Sequence, residues 1–108
     1  MQFIKPKNRQ LLFNKLFKSL NWGGALLIFE KVRANDARFQ DIITSMYYSF
    51  KEDQGFLPEE IYNKTKSLKS ILEPFSSDAN IDMMKRSGFK DIMTLQKYIC
   101  FEGWVAIK

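Results

Sequence analysis

The sequence predicts an α/β domain closed by an antiparallel β-hairpin, and three observations carry that prediction. A nearly uninterrupted apolar run over 24–32 follows a Gly23-Gly24 turn and has the look of a buried strand. Helical periodicity occupies the chain on both sides of it. Two further β segments, 91–99 and 101–107, then run to Lys108 with almost no connection between them. Strands joined so closely pair antiparallel.

Each element has a local reason. Pro6 suits the first turn of a helix, where no backbone N–H is needed. Leu12, Phe13, Leu16, Phe17 and Leu20 recur at helical spacing with Lys15 and Lys18 outward, so a helix is expected over 7–19. Gly23 and Gly24 end it in a turn that tolerates positive φ. The strand over 24–32 stays apolar until Glu30, which predicts a central strand covered on both faces. Gln2-Phe3-Ile4 is expected to be the remnant of a neighbouring strand. Asn35-Asp36 can cap a helix whose apolar stripe is Phe39, Ile42, Ile43, Met46, Tyr47 and Phe50. Gly55 breaks it, and Pro58-Glu59-Glu60 opens the next with acidic groups near its positive end. Ile61, Leu68, Ile71 and Leu72 should mark that helix's buried side, which Glu73-Pro74 closes. A short helix over 78–87 turns Ile81 and Met84 inward and stops at Gly88. The expected organisation is therefore helix and strand over 7–32, a helical segment over 35–87 and a hairpin over 90–108. Trp104 and Val105 fall on the last strand, and Val105→Asp is expected to bury an unpartnered charge.

Composition narrows the chemistry. At 108 residues, 45% apolar and 15% aromatic, the chain fits one small packed domain. No apolar run approaches the roughly 20 residues that span a bilayer, and the N-terminus lacks the apolar stretch of a signal peptide. With a single cysteine, Cys100, no internal disulfide forms, and a cytoplasmic location is expected. The absence of histidine removes serine–histidine and cysteine–histidine catalysis and most zinc chemistry, so no metal site is expected. The net charge of +5 suits either a solvated helical surface or a polyanion-binding one.

The order of motifs carries a resemblance. An arginine-led helix from Arg9 to Leu20 is followed by Gly23-Gly24-Ala25-Leu26 and by Glu30-Lys31. Phe50-Lys51, Gly55, Glu60-Ile61 and Asp78 come next, then Gly88-Phe89 and the closing strand from Phe101 through Val105-Ala106-Ile107-Lys108. This order resembles the bacterial carboxy-S-adenosylmethionine synthase family and, behind it, the S-adenosylmethionine-dependent methyltransferases. The resemblance implies the C-terminal half of a Rossmann-like class I methyltransferase fold, with a helical insertion and a closing antiparallel hairpin. In such a fold the last strand, 101–107, slots between 24–32 and 91–99. The family's cofactor would be S-adenosyl-L-methionine or carboxy-S-adenosyl-L-methionine, and its products serve wobble-uridine modification of transfer RNA.

The resemblance also implies site residues. Gln2 matches the tail of the family's fourth strand, and Thr65 and Lys66 fall in its middle helical segment, so these three are expected on the cofactor side. The synthases carry an arginine where Thr65 stands, and threonine cannot form the bidentate carboxylate pair an arginine forms. Ordinary or undetermined methyl-donor chemistry is therefore the expectation. Glu30 and Lys31, at the C-terminal end of a parallel strand, are expected to line a substrate pocket or to form a surface ion pair. Tyr47, Tyr48 and Phe50 suit core packing or stacking on a base, and Cys100 suits packing. Nothing in the sequence supplies the glycine-rich cofactor turn or the acidic residue for the ribose. The expected function is the C-terminal portion of a methyltransferase, inactive alone, with transfer RNA, a like subunit or an N-terminal half as partner. The alternative is a non-enzymatic interaction or RNA-binding module of the same fold.

Overall fold

The computed structural model describes residues 1–108 as four helices and one three-stranded sheet. In chain order these are α1 (Pro6–Ser19), β1 (Ala25–Lys31), α2 (Ala37–Asp53), α3 (Pro58–Ser67), α4 (Ser77–Ser87), β2 (Asp91–Tyr98) and β3 (Phe101–Ile107). The sheet order is β1-β3-β2 and both pairings are antiparallel, so the last strand lies between the other two as expected. Asp36 caps α2 as read, accepting from the Phe39 N–H; α4 begins one residue earlier than expected because Ser76, not singled out in the sequence, caps it by accepting from the Ala79 N–H. Gly88 ends α4 at φ +122°, and the hairpin turns tightly with Ile99 at φ +53°. The Val32 N–H donates to the Cys100 carbonyl at 2.7 Å, tying that turn to the end of β1.

One sheet face is the core. Trp104 and Ala106 of β3 are fully buried there, with Phe13 from α1, Met83 and Met84 from α4, Val32 and Phe89. Phe17 meets the Phe89 ring edge-on at 4.9 Å between centroids, closing the core beneath Gly88.

The opposite face is largely bare, with Leu27 (59%) and Phe29 (60%) exposed, which corrects the expectation that the first strand is covered on both faces. β1 is an edge strand of the sheet. Val105 stands half-buried between Leu27 and Met93, its register partners on either side. Only the hairpin end of this face is covered, by α2, through edge contacts of Tyr47 with Phe101 and Phe50 with Tyr98, each at 5.6 Å. A run of apolar residues records hydrophobicity, not what covers it. The same holds along α2, where Ile43, Tyr47 and Phe50 are half-buried but Phe39, Ile42 and Met46 are exposed.

Two smaller expectations also change. Gln2-Phe3-Ile4 forms a turn rather than a strand, with the Ile4 N–H donating to the Met1 carbonyl at 2.8 Å. Arg9 explains it: its guanidinium donates to the Ile4 carbonyl at 2.8 Å and the Gln2 carbonyl at 3.1 Å, drawing both away from a ladder. Ile71 is exposed because α3 ends at Ser67 and Ser70 takes φ +64°, which breaks the helical phase. No helix is long and apolar enough to cross a membrane.

Candidate functional site

A cleft of about 870 Å³ opens at the C-terminal end of β1, the end at which open α/β sheets place ligands. Lys31, Val32 and Arg33 form one edge of it. The inner side of α2 contributes Ile43, Thr44, Tyr47 and Lys51, and the end of α3 contributes Lys64, Thr65 and Leu68. The segment from Lys69 to Ser76 closes the opposite side, and Cys100 and Phe101 from the hairpin turn also line it.

Gln2 is positioned here by a chain of contacts that begins at Arg9. Arg9 is buried, stacks on Phe75 at 4.2 Å and holds the Gln2 carbonyl. The Gln2 amide oxygen then accepts from the Lys31 N–H at 2.7 Å, while the Gln2 N–H donates to Glu30 at 2.9 Å. Burial lowers the Arg9 pKa from its ordinary value, and the carboxylates of Glu73 and Glu30 oppose that shift.

Electrostatically the cleft is one-sided. Lys31, Arg33, Lys51, Lys64 and Lys69 line it against a single acid, Glu73. The two ion pairs of the molecule, the Met1 ammonium with Glu30 at 2.6 Å and Lys97 with Glu102 at 3.8 Å, use none of these cations. The Lys31 and Lys51 ammoniums lie 4.6 and 4.4 Å from the centre of the Tyr47 ring. Burial, then the charge of Lys31, holds Lys51 below its ordinary value. Burial pushes the Tyr47 phenol up, and also the Cys100 thiol, where Lys31 pulls the other way.

Of the five residues singled out by sequence, the structure brings three together: Gln2, Lys31 and Thr65 line the cleft. Glu30 does not, being buried with its carboxylate engaged by the Met1 ammonium and the Gln2 N–H. It is neither a pocket wall nor a surface ion pair. Lys66 is exposed outside the cleft, its ammonium 5.9 Å from the Tyr62 ring, and Lys64 takes the inward place. Lys64 and Lys66 lie two residues, about 200°, apart around α3, so they cannot share one wall. Sequence reasoning gave Arg9 and Lys51 only as motif positions, and Lys64 only beside Lys66 as a possible anion site, and placed none of them at this cleft.

Comparison with known proteins agrees with this frame. No family model matches the chain. Over all 108 residues it is 39% identical to the carboxy-S-adenosyl-L-methionine synthase of Campylobacter lari and 33% identical to that of Staphylococcus epidermidis. It spans about half the length of these relatives, 46% and 47%, in their C-terminal part. The chain is the C-terminal half of a class I methyltransferase fold related to the carboxy-S-adenosyl-L-methionine synthases. A solved structure has the same fold: human N-acetylserotonin methyltransferase in complex with SAM superposes on 99% of this chain at TM-score 0.60. It shares 13% identity, and 26% of its own length is matched. Thr65 faces this cleft as a neutral residue, and the cations around it come from the end of β1, α2, α3 and the segment after α3.

Proposed function

We propose that this chain forms the acceptor side of an S-adenosylmethionine-dependent transferase of the carboxy-S-adenosyl-L-methionine synthase type. Its cleft would complete an active site with a cofactor-binding region like the one in the other half of the relatives' length. The observation that carries this reading is the cleft at the carboxyl end of β1 beside a sheet face that is bare beyond its hairpin end.

The residues present do not by themselves fit the cofactor. Gly23 and Gly24 lie at the opposite end of β1, where the Gly23 N–H donates to the Lys108 carbonyl, so they build a turn and not a cradle. Five cationic side chains around the cleft repel a sulfonium, and no acidic pair waits for a ribose. The chain's own contribution is to position an acceptor and to exclude water from one wall. The same reading carries transfer RNA as the downstream partner and the cytoplasm as the location.

Calorimetry on the chain alone is expected to show no S-adenosylmethionine binding. Co-expression with the N-terminal half of the Campylobacter lari relative should yield a soluble complex that binds the cofactor one to one. Micromolar binding by the chain alone, or a co-purified complex that binds none, overturns the reading.

A further inference from the structure

The positive charge of this chain is confined to one end of the sequence. Of its 17 lysines and arginines, Lys5, Lys7, Arg9, Lys15 and Lys18 lie in residues 1–29, which hold no acid. The remaining cations equal the 12 acids over 30–108, so the first 29 residues carry the whole net charge of +5. Arg9 is buried, and the four lysines are exposed. Lys7, Leu11, Lys15 and Lys18 recur at intervals of four, four and three, which sets them on one face of α1. That face points away from the core, into which the helix sends Phe13. Leu11 is exposed on it, and Trp22, in the turn that follows the helix, is almost wholly exposed.

Helix stability does not account for these lysines. α1 contains no acid, so none of them has a partner one turn away, and neither ion pair of the molecule uses them. Lys5 and Lys7 flank the positive end of the helix, where a cation is unfavourable. At the negative end Lys108 already serves the last carbonyls, its ammonium donating to those of Phe17 and Leu20 at 2.9 and 2.8 Å. Neighbouring α4 does not neutralise the stripe either, since its Asp78 and Asp82 are matched by its own Lys85 and Arg86.

We propose that this face of α1, from Lys5 to Trp22, is a docking surface for single-stranded nucleic acid, the lysines following the phosphates and the Trp22 indole stacking on a base. From Lys7 to Lys18 the helix runs about 16 Å at roughly 1.5 Å per residue, enough to follow several phosphates. A membrane fits less well, because α1 keeps its apolar side in the core and leaves only Leu11 and Trp22 to enter lipid. Lysines alone would suit an acidic protein, but the bare indole beside them selects a partner with open aromatic faces. None of these residues lines the cleft, so the inference stands apart from the proposed acceptor site.

The test is quenching of tryptophan emission in the full chain by oligouridylate and oligothymidylate of about ten nucleotides. Trp104 is fully buried, so a stacking base is read at Trp22. Binding should weaken with salt at a slope of about −3, from four lysines at about 0.7 each. Lys7→Gln with Lys18→Gln should halve that slope, while Lys64→Gln in the cleft leaves it unchanged. Quenching by the ribonucleotide alone assigns RNA as the source, by the deoxyribonucleotide alone DNA, and by both an unselective face. No quenching by either, or a slope lowered by Lys64→Gln and not by the α1 pair, overturns the proposal. Equal quenching by polyglutamate, or a blue shift on phosphatidylserine vesicles without quenching by either oligonucleotide, also overturns it by assigning the face to an acidic protein or a membrane. The slope of the parent needs no variant, so a double variant that fails to fold leaves that measurement decisive. Failure here with successful reassembly and cofactor binding would remove the docking face and keep the proposed function.

Discussion

Val105→Asp separates the stability of this chain from its capacity to be covered. Val105 is on the central strand, but its side chain is on the bare face, half-buried between the exposed Leu27 and Met93. Full burial of a valine is worth about 1.5–3 kcal/mol, so losing half of it costs about 1 kcal/mol. The poorer strand preference of aspartate adds about 1 kcal/mol more. A loss of about 2 kcal/mol leaves a domain of about 5–15 kcal/mol folded, with a melting temperature lowered by roughly 10 °C. The sequence-based expectation that Val105→Asp buries an unpartnered charge is therefore revised for the chain on its own. The larger effect belongs to association, because a second half laid on this face would bury the carboxylate without a partner. Leaving a buried charge unpaired costs about 3–5 kcal/mol, or two to four orders of magnitude in affinity at roughly 1.4 kcal/mol per decade. Urea melting followed by tryptophan fluorescence reads the first quantity well, since Trp104 is fully buried and Trp22 is 93% exposed in the folded chain. Affinity capture of a co-expressed N-terminal half reads the second. Loss of a cooperative melt, or capture undiminished by the substitution, refutes the reasoning.

Two glycines separate backbone strain from collision. Both Gly23 (φ +78°) and Gly88 (φ +122°) lie in the left-handed region, but a Cβ meets nothing at Gly23 and would lie 2.7 Å from the Phe17 ring at Gly88. Gly23→Ala should cost about 1 kcal/mol in a urea melt and Gly88→Ala roughly 2–5 kcal/mol, so equal costs would show that the Phe17 collision is not felt. Lys51 gives a test by pH: burial and then Lys31 hold its pKa below the ordinary value, so the penalty on its ammonium is full below the folded value and is relieved as pH rises toward the unfolded one. The melting temperature of the parent chain should therefore gain on that of Lys51→Met between about pH 7 and pH 10, and a constant difference contradicts the assignment.

The order of elements, their caps and the hairpin were legible in the sequence because each depends on residues close in the chain. Asp36 caps a helix through an N–H three residues on, Gly88 stops one by its own backbone angle, and 91–107 can only fold back on itself. The resemblance in motif order placed β3 between β1 and β2, and the structure has it there. What local pattern could not decide was which side of each element is covered. Leu27 and Phe29 are as apolar as Leu26 and Ile28, and only the positions of α1 and α4 make one pair inner and the other bare. The site divides the same way. Thr65 and Lys31 could be named from motif position, whereas Lys64 replaced Lys66 through helix rotation. Glu30 was claimed by Met1 and Gln2 across 28 or more residues of chain, and Tyr47 of α2 meets Lys31 from the end of β1. Contacts between residues that far apart are set by how the layers pack, and packing is a property of the tertiary structure alone.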